Sequence, residues 1–121
     1  MKLSKNLQDI IENAGFKIND EDNNYISFQK YSPCEHDFNF EIYTENNLRC
    51  FCNNILSYYY AFDVSYEAYL WLDDMGHGKN GAPYEMIDVY KDMEECKEFV
   101  YELYQIVNKY IENTAEFKEE D

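Results

Sequence analysis

The chain has 121 residues, of which 45% are hydrophobic and 18% are aromatic, and acidic residues outnumber basic ones by 25 to 10. This length and apolar fraction predict one folded domain, residues 1–121, and argue against wholesale disorder. The net charge of -15 argues against direct binding to nucleic acid or to anionic lipid, because both need Lys and Arg, and it favours a basic partner.

Targeting and redox features are those of a cytoplasmic protein. No run approaches the roughly 20 apolar residues of a membrane span. The N-terminus, MKLSKNLQDI, lacks the apolar core of a signal peptide. The 4 cysteines are expected to be reduced thiols rather than a disulfide framework.

The first half of the chain has the pattern of a helix followed by a three-stranded antiparallel meander. Ser4 suits the N-cap of the helix, and Gly15 suits the position after its end. Strict alternation of apolar and polar residues between Phe38 and Tyr43 is the clearest strand pattern in the sequence. The predicted elements are a helix at 4–14, a strand from Phe16, a turn at 19–24, and strands at 25–31 and 38–43.

From about residue 46 the apolar residues recur every three or four positions, which predicts helices. Asp63 is a good N-cap for a helix ending near residue 75, and Pro83 suits the first position of the next. The last helix is predicted to be the longest, with residues 114–121 as a frayed acidic tail. The predicted fold class is α+β: an N-terminal helix, a small three-stranded antiparallel sheet and a helical C-terminal half.

Residues 76–83, GHGKNGAP, place three glycines at the G-x-G-x-x-G spacing of dinucleotide-binding loops. That motif needs a strand before the loop and a second parallel strand after the following helix, whereas both flanks here have helical patterns. We therefore predict a chain reversal between two helices and no bound cofactor. His77 and Lys79 lie at the tip of this loop and are candidate partner contacts.

Residues 34–37, Cys-Glu-His-Asp, gather reactive side chains on one predicted loop. Structural zinc takes four N or S ligands in spaced pairs, and Cys50-x-Cys52 is too tight for that pattern. A catalytic pair of Cys34 and His36 has no visible orienting group or oxyanion hole. We predict neither a metal site nor catalytic residues, and a small metal protein or enzyme built on this loop remains an alternative.

Acidic residues near the C-terminus recur at spacings of three and four. On a continuous helix they would line one face, with neighbours about 5–6 Å apart, which is comparable to the spacing of phosphates along a nucleic acid. Such a row can enter a groove built for phosphates. Lys91 and Lys97 interrupt the row, and an ordinary solvated face is the alternative. The predicted row is Glu85, Asp88, Asp92, Glu95, Glu98 and Glu102.

Tyrosines provide a second candidate surface. Tyr58, Tyr59 and Tyr60 cannot all face one core, because consecutive helical residues point about 100° apart. Exposed tyrosine suits protein interfaces, being large, rigid and amphipathic. We predict Tyr58 and Tyr60 as partner contacts. Some of Tyr66, Tyr69, Tyr101 and Tyr104 are also expected to be accessible.

Four local features of residues 37–110 form a recognisable pattern: the F-x-F strand, Phe62-Asp63 ahead of the Trp71 helix, the Gly81-Ala82-Pro83 turn, and the helix that carries Asp92. In these features the chain resembles short proteins carried by phages, plasmids and integrated elements of gut anaerobic bacteria. The resemblance implies no catalytic residues. It implies a counter-defence role of the anti-CRISPR or anti-restriction type.

The sequence therefore predicts a non-enzymatic, acidic protein-binding module. Its sharper form is an inhibitor that occupies the nucleic-acid groove of a defence enzyme by phosphate mimicry. The alternatives are an immunity or antitoxin-like partner of a basic toxin, and a homodimer whose acidity is incidental.

Overall fold

The computed structural model describes residues 2–21, 24–45, 47–74 and 86–119. It confirms the predicted fold class: a helix, a three-stranded antiparallel sheet in the order β1-β2-β3, and then helices. Within the described residues, no helix is both long and apolar enough to cross a membrane. The elements are α1 (Lys5–Asn13), β1 (Lys17–Glu21), β2 (Tyr25–Tyr31), β3 (Asp37–Tyr43), α2 (Leu48–Ala61), α3 (Val64–Asp74) and α4 (Met86–Glu119).

Side-chain caps fix where the first helices begin. Ser4 accepts the Leu7 N–H at 3.2 Å, as predicted. Asn47, which was not among the predicted caps, caps α2 by accepting the Cys50 N–H at 2.9 Å. The predicted cap of α3 is confirmed, because Asp63 accepts a backbone N–H in its first turn.

Strand β1 is longer than predicted. The turn expected at residues 19–24 starts too early, because β1 continues to Glu21 and stays paired with β2. A register shift between Ile18 and Asp20 accommodates the polar residues there. Ladder hydrogen bonds to β2 thus outweigh the turn preference of Asn and Asp.

Helix α4 is a single helix of 34 residues. The helix continues to Glu119, through most of the segment 114–121 that was predicted as a frayed tail, in keeping with the helix preference of Ala, Glu and Lys. The glycine-rich loop, with His77 and Lys79, and the predicted helix start at Pro83 lie outside the described residues. Its described flanks are both helical, α3 and α4, so no strand precedes the loop as a dinucleotide motif requires.

The core lies between one face of the sheet and the helices. Residues of β3 alternate between exposed and buried along the whole strand, which places Phe38, Phe40 and Ile42 against the helices. The Phe38 and Phe40 rings stack with their centroids 5.1 Å apart, and the ring centroids of Phe28 and Phe51 of α2 are 6.2 Å apart. On α4, an apolar stripe formed by Cys96, Val100, Leu103 and Val107 is fully enclosed.

Lys30 of β2 joins three elements through one ammonium group. Its Nζ lies 2.9 Å from Glu102 of α4 and donates to the Ala14 carbonyl at 3.0 Å. It also lies 4.7 Å from the Phe16 ring centroid and 4.5 Å from that of Phe99. An ammonium held by a carboxylate, a carbonyl and two ring faces can be partly buried without an unpaired charge.

Gly15 leaves room for the Lys30 side chain because it has no Cβ. Its φ of 101° lies in the left-handed region, and a Cβ there would come within 3.3 Å of the Lys30 Cε. Glycine is therefore required both by the backbone and by the close approach of the side chain. The predicted role of Gly15 at the helix end is confirmed.

Candidate functional site

The hairpin turn between β2 and β3 is the first wall of the candidate site. The N–H of Glu35 donates to the Ser32 carbonyl at 2.8 Å, and the N–H of Ser32 donates to the His36 carbonyl at 2.9 Å. Pro33 occupies the second turn position, where its fixed φ is favourable, and Glu35 has a positive φ of 63°. This is the three-residue hairpin that ends with one left-handed residue.

Asp92 of α4 fastens this turn to the helix. Its Oδ1 accepts the Cys34 N–H at 2.9 Å, and its Oδ2 accepts the hydroxyl of Ser32. The Ser32 oxygen in turn accepts the His36 N–H at 2.9 Å. Ser32 and Asp92 are both buried, at 5% and 2% exposure. The carboxylate therefore satisfies polar groups that the turn buries against α4.

The prediction that Asp92 belongs to an exposed acidic row is wrong. Asp92 lies three residues after the buried Val89 and four before the buried Cys96, so it borders the apolar stripe of α4. The turn then covers that border. Helical spacing alone does not reveal the covering segment, because it comes from a distant part of the sequence.

A groove of about 760 Å³ opens between the turn and α4. Five carboxylate residues and one lysine of α4 line it. Its exposed lining carboxylates are Asp88, Glu94, Glu95 and Glu98. The remaining lining residues are Pro33, Cys34, Lys91 and Asp92. The groove is thus strongly negative, with Asp92 held in its wall.

Two thiols beside the groove are subject to this negative charge. Burial, together with smaller contributions from the charges of Asp92 and Glu95, raises the pKa of Cys96 to about 12. The pKa of Cys34 is also raised, first by burial and then by the charge and hydrogen bond of Asp92. Both thiols are protonated at neutral pH, because desolvation and neighbouring carboxylates disfavour the thiolate.

The negative charges of the groove also affect whether residues 34–37 could act in catalysis. Burial lowers the pKa of His36 below its usual 6.5, although Asp92 and Asp37 oppose the shift. A neutral imidazole beside a protonated Cys34 thiol is the opposite of an activated thiolate pair. Among the described residues, no group of three or more His, Cys, Asp or Glu is placed to hold a metal ion.

The structure divides the predicted acidic row. Asp88, Glu95 and Glu98 lie together on the groove, whereas Glu102 is paired with Lys30. Glu85 lies outside the described residues. Glu94 belongs to the groove but was not predicted. Its spacing of four residues from Glu98 was the available signal.

Of the two tyrosines predicted as partner contacts, one is exposed and the other is partly buried. Tyr60 is 72% exposed, as expected. Tyr58 instead packs its ring on Phe40 at 5.5 Å and on Phe62 at 6.4 Å. Burial there raises the Tyr58 pKa to about 12, and the partly buried side chain packs against the core.

The tyrosines of α3 and α4 are likewise either exposed or partly buried. On α3, Tyr66 and Tyr69 are exposed, at 58% and 63%, as some of the tyrosines were expected to be. Tyr101 and Tyr104 are partly buried between α2 and α4, where Tyr101 lies 5.0 Å from Tyr59. Among the described residues from α2 onward, the exposed tyrosines are therefore Tyr60, Tyr66 and Tyr69.

In comparisons with known proteins, no family model, no curated protein and no solved structure matches this chain.

Proposed function

We propose that this chain is a non-enzymatic protein-binding module whose acidic groove receives lysine or arginine side chains of a basic partner. The observation that carries the proposal is the groove itself, in which Asp88, Glu94, Glu95 and Glu98 are exposed together. Only Lys91 among the lining residues opposes them. Complementary charge of this kind steers association and selects partners.

Rigidity adds to this electrostatic match. The turn that forms one wall is anchored to α4 through Asp92, Ser32 and the Cys34 N–H. The other wall is a regular helix. A partner therefore meets carboxylates whose backbone positions are set before binding, which reduces the entropy lost on association.

The finer form of the proposal is inhibition of a nucleic-acid enzyme by phosphate mimicry. Carboxylates on one helix face repeat at about 5–6 Å, a spacing on the scale of the phosphates that such an enzyme binds. With Asp92 buried, only Glu95 and Glu98 of the predicted row keep this spacing in the groove, and Asp88 lies seven residues, about 10 Å, before Glu95. The mimicry surface is therefore shorter than the row predicted from the sequence. The likeness to proteins of phages and plasmids favours the same role.

A defined basic probe tests the binding class. Fluorescence anisotropy with labelled octa-arginine should show binding that weakens as salt rises. Changing Glu95→Lys together with Glu98→Lys should weaken binding at least about tenfold, equivalent to about 1.4 kcal/mol. A matched control changes Glu12→Lys and Glu112→Lys, which are exposed on α1 and at the far end of α4, and alters the net charge equally. Equal losses in both double variants would reject the groove as the site.

Inhibition assays test the finer form. Restriction endonucleases and RNA-guided nucleases, cutting duplex DNA in the presence of the protein, provide the panel. Phosphate mimicry predicts inhibition of at least one enzyme that excess DNA relieves by competition and that the groove double variant loses. Peptide binding without any nuclease inhibition would instead favour the partner of a basic toxin.

A further inference from the structure

Strand β3 is an edge strand of unusual regularity. It is paired with β2 along all 7 of its residues without a register shift, whereas the opposite edge strand, β1, carries a bulge. Its sequence, DFNFEIY, contains no Pro, Gly, Lys or Arg. Bulges, proline and lysine are features by which edge strands usually avoid pairing with another chain, and β3 has none of them, although it carries the charged residues Asp37 and Glu41.

The ladder shows which backbone groups of β3 face outward. At its two ends the Thr44 N–H donates to the Asn24 carbonyl at 3.0 Å, and the Ser32 N–H donates to the His36 carbonyl at 2.9 Å. Hydrogen-bonding direction alternates along an antiparallel strand. The even-numbered residues of β3 therefore bond β2. The odd-numbered residues, Asp37, Asn39, Glu41 and Tyr43, direct their N–H and C=O groups away from the sheet.

Side chains cover the two ends of this open edge. The Tyr43 carbonyl accepts from the Asn54 side chain at 3.0 Å, and the Asp37 carbonyl accepts from the Asn39 side chain at 3.0 Å. In the part of the chain that the structure describes, the backbone N–H and C=O groups of Asn39 and Glu41 make no hydrogen bond. The centre of the edge is therefore open for pairing.

We propose that β3 pairs antiparallel with β3 of a second copy of this chain, about a two-fold axis at Phe40. In this register each Asn39 is the hydrogen-bonded partner of Glu41 in the second copy. The central open N–H and C=O groups of both copies are then all satisfied. On the exposed face, Asn39 stands opposite Glu41 and Asp37 opposite Tyr43, and both pairs are compatible.

The neighbouring symmetric registers fail on charge. A two-fold axis at Asn39 would set Asp37 opposite Glu41 of the second copy, and an axis at Glu41 would set that carboxylate opposite itself. Like charges directly opposite one another destabilise a strand pair. Only the register centred on Phe40 both avoids such contacts and uses the open backbone groups.

The expected salt dependence distinguishes dimerisation at this strand edge from partner binding at the acidic groove. Two chains of charge -15 repel each other, and salt screens that repulsion over the roughly 8 Å Debye length at physiological ionic strength. Dimerisation should therefore strengthen as salt rises, whereas binding of a basic partner at the groove should weaken. The dimer does not rest on the proposed function.

Sedimentation equilibrium on the full chain, at low and high salt, tests the proposal. Asn39→Lys places a cation opposite Glu41 of the second copy twice in each dimer, and Asn39→Glu places a carboxylate there. We expect the lysine variant to dimerise about tenfold more tightly than the glutamate variant. Both variants replace the Asn39 carboxamide, and comparing them at high salt, where the repulsion between the whole chains is screened, isolates the effect of the charge at residue 39.

A third variant, Glu41→Pro, removes an outward N–H that the pairing with β2 does not use and should abolish the dimer. Circular dichroism checks that this variant keeps the native fold, since proline also fixes φ and removes the Glu41 carboxylate. The groove double variant, Glu95→Lys with Glu98→Lys, should still dimerise. A monomer at every concentration and salt would overturn the proposal. So would a dimer that responds equally to both Asn39 variants, or one that dissociates as salt rises.

Discussion

The β2–β3 hairpin is fastened to α4 at two places that differ in chemistry. At the groove end, Asp92 accepts the Cys34 N–H and the Ser32 hydroxyl, which carry no formal charge. Two residues before Ser32, Lys30 of β2 pairs with Glu102 at 2.9 Å and contacts two aromatic rings. The first fastening keeps a net negative charge, and the second is neutral as a pair.

This difference explains where the negative surface lies. Among the described residues no cation forms a salt bridge with Asp92, so its charge adds to that of the exposed carboxylates of the groove. Glu102 contributes no such field, because the Lys30 ammonium cancels it. One helix, α4, thus presents an acidic surface between Asp88 and Glu98 and a structural ion pair at Glu102.

Asp92→Ala is expected to produce the largest loss of stability. It leaves the buried Ser32 hydroxyl and the Cys34 N–H without an acceptor, and hydrogen bonds to a charged group contribute about 1.5–3 kcal/mol each. We expect the free energy of unfolding in urea to fall by about 3–5 kcal/mol. Glu95→Ala, at an exposed position of the same groove, is the control and should change it by less than about 0.5 kcal/mol. Similar small effects for both would show that Asp92 is not an anchor.

Lys30→Met tests the neutral fastening and should cost less. Methionine keeps most of the apolar contact with Phe16 and Phe99 but removes the ammonium, leaving Glu102 unpaired. Since the side chain of Glu102 is 45% exposed, water can solvate its charge. The expected loss is about 1–2 kcal/mol in the same urea titration. A loss larger than that of Asp92→Ala would reverse the ranking of the two fastenings.

The fold follows from patterns that are local in sequence. Alternation in β3, the apolar stripe of α4, and the caps Ser4 and Asp63 each lie within a few residues, so the fold class could be predicted. Which acidic residues are buried or paired could not be predicted. Asp92 and Ser32 are 60 residues apart, and Lys30 and Glu102 are 72 apart. Spacing on one helix carries no information about which distant segment covers it.

The groove end should also be the more sensitive to alkali, because the Cys96 thiol lies there with its pKa raised from 9.0 to about 12. Above pH 9 the unfolded chain loses this proton while the folded chain retains it, so the stability that the protonated thiol contributes is present below pH 9 and is lost as pH rises towards 12. The slope is about 1.4 kcal/mol per pH unit for one group. Cys96→Ala should lower the free energy of unfolding at every pH, through lost packing, but should flatten its decline above pH 9. Urea titrations from pH 8 upwards compare the two slopes. Parallel slopes would mean that the Cys96 thiol titrates alike in the folded and unfolded chains, and that the negative groove leaves it unaffected.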